Sequence, residues 1–125
     1  MKKTIVMLCI IAAVASCGSN ETKPAANENK AADLTKNPDY EKGLDLVTKS
    51  DCLGCHNVMD PSIGPAYVAI AKRYNGQPGI EDTLAQKIIK GGAGNWGTIP
   101  MAPHSQISEE DAKAMAKYIL TLNEQ

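Results

Sequence analysis

The chain contains no Phe, one Trp and four Tyr in 125 residues, so the bulky side chains that usually fill a core are scarce. Hydrophobic residues still make up 43%. A domain of fewer than about 90 residues buries too little of its surface to be comfortably stable, and often adds a disulfide, a metal or a cofactor. Strong positive charge is also missing. The formal net charge is -1, and nothing resembles the basic stripe that nucleic acid requires, so nucleic-acid binding is excluded. No stretch shows sustained strand alternation, and no internal repeat is visible. The apolar run Ile5 to Val14 spans ten residues, too short to cross a bilayer, which needs about 20.

That run and its flanks read instead as an address. Met1-Lys2-Lys3-Thr4 is a short positive start, the apolar run follows, and small residues close it, which is the layout of a secretory signal over residues 1–16. Val14-Ala15-Ser16-Cys17 resembles the lipobox of bacterial lipoproteins, in which the cysteine becomes the lipidated first residue. The alternative is ordinary cleavage nearby, leaving Cys17 as a free or disulfide-linked thiol. Removing Lys2 and Lys3 from the 13 basic residues leaves 11 against 14 acidic ones, a mature charge of about -3. Residues 18–37 are rich in Ala, Asn, Lys and Glu, with Leu34 as the one large apolar side chain. They read as a flexible linker with an end-to-end distance of roughly 25 Å. Lipid chains on Cys17 would hold the protein at a membrane without spanning it.

Residues 38–125 carry the periodicity of an all-α domain. Tyr40, Leu44 and Val47 share one face of a helix that starts at Pro38 and runs to about Ser50. Pro65 opens a second, short helix through Tyr74, closed by Asn75-Gly76. Glu81 and Asp82 open a third, with Lys87 and Lys90 near its end and Gly91-Gly92 stopping it. Ser108 with Glu109, Glu110 and Asp111 has a capping-box-like start, followed by the stripe Ala112, Met115, Ala116, Ile119 and Leu120.

The segment joining the first two helices carries the chemistry. Cys52-Leu53-Gly54-Cys55-His56 brings two thiols and an imidazole onto one turn, and Cys-x-x-Cys-His is the signature of covalent c-type haem attachment. A structural zinc site wants four N or S ligands, commonly as two pairs, and beyond this turn the mature chain offers only His104 and perhaps Cys17 at the far end of the linker. A thioredoxin-like redox pair would sit near a βαβ pattern, which is missing. A plain Cys52–Cys55 disulfide would close a tiny loop and leave His56 unexplained.

Met and His are the usual partners of the attachment-motif His, so the second axial ligand is sought among Met59, Met101, Met115 and His104. Met59 is too close to His56 in the chain to reach the opposite haem face easily, and Met115 lies on the stripe of the last helix, where core packing is the simpler reading. Met101 lies in a loop between Pro100 and Pro103, far enough along the chain to close over the ring.

CLGCH, IGPAY, LAQKIIKGGAGNWGTIPMAPH and a terminal amphipathic helix together resemble the small bacterial class I cytochromes c, across residues 38–125. The resemblance implies four short helices and loops around one covalent haem c, with Cys52 and Cys55 as anchors and His56 and Met101 as axial ligands. It implies a carbonyl beside Pro65, with Gly64 as the expected acceptor, that takes the His56 ring N–H. Trp96 is expected to pack on the haem and donate to a propionate, or else to be plain core. Lys87 falls where relatives often place an arginine near a propionate, or else is a solvated residue. Gly43 and Tyr118 are expected where the first and last helices cross. His104 stands where the most similar cytochromes have an asparagine; it is a rim or supporting group, a replacement ligand or a switchable one. The implied function is one-electron transfer by a monomer in the cell envelope, periplasmic or on the outer side of a membrane. Its partners are a donor and an acceptor such as a membrane cytochrome complex, a terminal oxidase or a reductase. Lys72, Arg73, Lys87 and Lys90 either rim a docking face or are solvated surface. A haem catalyst or sensor in which Met101 dissociates is the rival reading, and a metal or disulfide module is a third.

Overall fold

The structure, a computed structural model, describes residues 36–124. The signal segment, Cys17 and the linker up to residue 35 lie outside the described residues. Among the described residues no helix is long and apolar enough to cross a membrane.

Four helices form where the periodicity places them. Helix α1 spans Pro38–Lys49; the Asn37 side chain accepts from the Asp39 N–H at 2.9 Å, satisfying one free donor of the first turn. Helix α2 spans Tyr67–Tyr74, beginning two residues after Pro65. Helix α3 spans Ile80–Lys90 and ends at Gly91, whose φ of 66° is a left-handed value that glycine adopts without strain. Helix α4 spans Glu109–Thr121, and its Ser108 hydroxyl accepts from the Asp111 N–H at 3.1 Å. A 3-10 turn, Asp51–Gly54, joins directly onto α1 and carries the first cysteine.

Helix α4 packs against the other three. Its crossing with α1 is close because Gly43 has no side chain: a Cβ there would lie inside contact with the Ala114 carbonyl and the Tyr118 Cβ. Tyr118, 3% exposed, meets Tyr40 edge to face at 5.1 Å between centroids. The rest of the core mixes alanines (Ala71, Ala85, Ala112) with Val47, Ile70, Ile88, Met115, Ile119 and Leu122, with Tyr67 as the other large ring. Ion pairs Lys42–Glu110 and Lys117–Asp39, each 2.8 Å, cross the same helix pair at the surface, where such pairs contribute little.

The all-α reading holds, with one addition. Strands β1 (Gly92–Gly94) and β2 (Gly97–Met101) pair antiparallel around Asn95-Trp96, with Gly92 opposite Met101 and an irregularity between Gly92 and Gly94. The segment expected as a loop around Met101 is therefore a hairpin that ends on Met101. Its glycines carry no side chains, so no alternating pattern marks it in the sequence. Gly92, Gly94 and Gly97 have φ values of 107°, 111° and 115°, which side-chain-bearing residues rarely adopt.

Candidate functional site

The helices, the 3-10 turn and the hairpin surround a cleft of about 880 Å³, near the upper end of the range of cofactor sites. Every residue singled out from the sequence as cofactor-binding, namely Cys52, Cys55, His56, Gly64, Pro65, Lys87, Trp96 and Met101, lines it.

The attachment turn is tightened by two backbone bonds onto the Cys52 carbonyl, from the Cys55 N–H at 3.2 Å and the His56 N–H at 3.0 Å. Both cysteines are free thiols, so the disulfide reading is not realised here. Burial pushes the Cys52 thiol up, with the Asp51 charge adding to it. That keeps Cys52 neutral, opposite to the lowered thiols of redox pairs. Among the described residues no group of three or more His, Cys, Asp or Glu side chains could hold a bare metal ion.

His56 is fixed from two sides. Its Nδ1 lies 2.8 Å from the Pro65 carbonyl oxygen, so Nδ1–H donates there and Nε2 is left with a free lone pair. Its ring also stacks on Tyr67, with centroids 5.4 Å apart and planes 14° from parallel. The acceptor is Pro65, which corrects the expectation of Gly64. The Gly64 carbonyl is already engaged by the Ser62 N–H at 3.0 Å, and its own N–H donates to the Cys55 carbonyl at 2.8 Å. Gly64 serves by its bareness instead: a Cβ there would fall 2.8 Å from Nδ1 and clash with the ring. In the sequence Tyr67 falls only within the span of the second helix. Its distance of eleven positions from His56 gives no local signal for the stack. Burial keeps the Tyr67 phenol neutral by raising it well above its ordinary value.

Met101, which also lines the cleft, is partly buried against the core at the end of β2. Gly91 lets its segment come close, since a Cβ there would fall 2.8 Å from the Pro103 nitrogen and overlap the Met101 carbonyl. Met59 is 55% exposed at the rim, whereas Met115 is 1% exposed within the core, as its helical stripe implied. Trp96 is a rim residue rather than core, 43% exposed. The Arg73 guanidinium lies 4.6 Å from its ring centroid and donates to the Asn95 carbonyl at 2.7 Å, which pins the hairpin turn to α2. Arg73 is thus a brace of the hairpin, a role that sequence placement alone did not suggest. Lys87 reaches over β1, its Nζ 3.3 Å from where a Gly92 Cβ would stand.

The site suits a flat, largely apolar ring. Met59, Ile63, Trp96 and Ile99 are large hydrophobics exposed on its walls, an uncovered apolar surface that a single domain seldom leaves to water. Two thiols, a His with one committed nitrogen and a thioether all line the cleft. These donors fit a haem held by two covalent links and a nitrogen ligand.

Comparison with known proteins agrees. The Cytochrome c family model matches residues 40–123. Cytochrome c-551 of Azotobacter vinelandii is 44% identical over 81 residues, covering 65% of this chain and 98% of that protein. Cytochrome c-552 of Nitrosomonas europaea is 45% identical over 78 residues, covering 62% of this chain and 76% of its relative. The crystal structure of wild-type Nitrosomonas europaea cytochrome c552 superposes with a TM-score of 0.61 at 44% identity, over 64% of this chain and 99% of that one. The motif, the cleft and these relatives together place the chain in the cytochrome c family, as a class I monohaem cytochrome whose iron-containing haem is covalently attached through its cysteine pair and which transfers electrons rather than acting as an enzyme.

Proposed function

We propose that this protein is a membrane-tethered one-electron carrier outside the cytoplasm, with His56 Nε2 and the Met101 sulfur as its two axial ligands. The observation that carries this reading is the Nδ1–H bond from His56 to the Pro65 carbonyl, which commits one ring nitrogen and presents the other as a ligand. The haem supplies an iron that alternates between ferric and ferrous, one electron at a time. Cys52 and Cys55 hold its edge. Pro65 and Tyr67 orient the imidazole, and the hairpin carries Met101, whose sulfur would be the second ligand. Trp96 and Lys87 also line the cleft, and their indole N–H and ammonium would hold the propionates. With His56 and Met101 both on the iron, substrate would have no access to the metal, and electron transfer would be the chemistry left to the haem.

Cys17 is the lipid-bearing residue in this reading, and the linker after it gives the domain room to swing between a donor and an acceptor. The domain works as a monomer. Two measurements on the full-length holoprotein test the reading. Reduced protein exposed to carbon monoxide should keep its spectrum, and ready formation of an adduct would favour a sensor or catalyst in which Met101 leaves. Cys17→Ser should move the haem staining from the membrane fraction to the soluble fraction. Equal membrane association of the variant would overturn the tether.

A further inference from the structure

His104 and Asp51 form a contact that the ligand set does not account for. His104 closes the segment that leaves Met101: its backbone N–H donates to the Ile88 carbonyl on α3 at 3.1 Å, and its own carbonyl accepts from the Ile107 N–H at 3.0 Å. The two bonds fix the backbone at His104. Its Nε2 lies 3.2 Å from Asp51 Oδ1, immediately before Cys52 in the attachment turn. The His104 side chain is 13% exposed while that of Asp51 is 85% exposed, so the pair runs from the cleft wall out to water. Among the described residues, His104 Nδ1 is the buried side-chain nitrogen or oxygen that has no hydrogen-bond partner. An apolar side chain at the same place would leave no such group stranded, so the ring is kept there for what Nε2 does.

We propose that His104 is a positioning residue: through Asp51 it ties the Met101 segment to the turn that carries the haem cysteines, and so holds the sulfur at the iron. The tie joins the two pieces of chain that must close on opposite sides of one ring, 53 positions apart in sequence from residue 51 to residue 104. It rests on Met101 being the axial ligand. The contact needs only an Nε2–H donor and a carboxylate acceptor, which a neutral imidazole and an ionised Asp51 provide.

The test uses the ferric holoprotein, following the weak red absorption band of methionine–iron ligation during a urea titration alongside far-ultraviolet circular dichroism. The rate of carbon monoxide uptake by reduced protein is the second readout. In the wild type the band and the helices should be lost together. In Asp51→Ala the band should be lost at lower urea than the helices, and carbon monoxide uptake should rise about fivefold, as large an effect as an ion pair open to water on one side delivers. His104→Phe should do the same or more, and the double variant should add nothing to the larger single effect, because the two act through one contact. Asp51 is exposed, so its variant reports even if His104→Phe fails to fold. A red band in the wild type that responds to neither substitution, or effects that simply add, would overturn the tie while leaving Met101 as ligand. No red band in the wild type would overturn both.

Discussion

Gly64 has no side chain because the His56 ring occupies the space one would need. Its role became visible only when the chain folded back, nine residues beyond His56, and put the Pro65 carbonyl on Nδ1. From sequence, the glycine and the proline were both legible as partners of the imidazole, but which carbonyl accepts depends on the Ser62 N–H having claimed the Gly64 oxygen. Gly64→Ala is expected to push the ring off the Pro65 carbonyl and destabilise the holoprotein by about 1–3 kcal/mol, as overpacking of a filled site does. Urea unfolding checks the stability, and the low-spin haem spectrum checks the ligation. Unchanged values in both would mean that the ring has room to move. Trp96 was equally ambiguous from sequence, since a lone Trp marks core or rim alike. Its exposed position is settled by the hairpin glycines and by Arg73.

The helices were the most legible elements, because their signals are local: Asn37 and Ser108 accept from their own first turns, and Gly91 terminates α3. The hairpin was not legible, since strand recognition needs alternating side chains and β1 is Gly-Ala-Gly. The start of α4 carries a pH prediction. Asp111 is held below the ordinary carboxylate value first by the Ser108 hydroxyl and then by Lys42. A carboxylate lowered by folding adds stability that is present above its unfolded value and is lost as pH falls through its folded value. Loss of the Ser108 hydroxyl that caps the Asp111 N–H, in Ser108→Ala, should cost about 1 kcal/mol at neutral pH, the usual effect of removing such a cap. The gap between variant and wild type should narrow as pH falls below the carboxylate range, because Asp111 has less to lose in the variant. Chemical denaturation at several pH values checks this, and a gap that widens in acid would contradict it.

At the scale of the whole molecule, the shortage of aromatic residues and the cleft are one fact. The helices meet through alanines and mid-sized aliphatic side chains, Tyr67 and Tyr118 are the buried large rings among the described residues, and the cleft beside them is the place for the haem. Without the covalent links the walls of the cleft have nothing to pack on. Cys52→Ala/Cys55→Ala is accordingly expected to lose fixed tertiary packing, with near-ultraviolet circular dichroism abolished and part of the helical signal retained. A cooperative, native-like unfolding transition in that variant would show that the helices suffice by themselves. The proposed carrier function depends on Met101 closing the iron opposite His56. The most direct measurement is the proton NMR spectrum of the reduced holoprotein, in which a methionine methyl held over the ring is shifted far upfield by the ring current. One such three-proton signal should be present in the wild type, persist in Met59→Leu and Met115→Leu, and vanish in Met101→Ala. Its survival in Met101→Ala, or its absence from the wild type, would contradict the ligand assignment on which the carrier function rests.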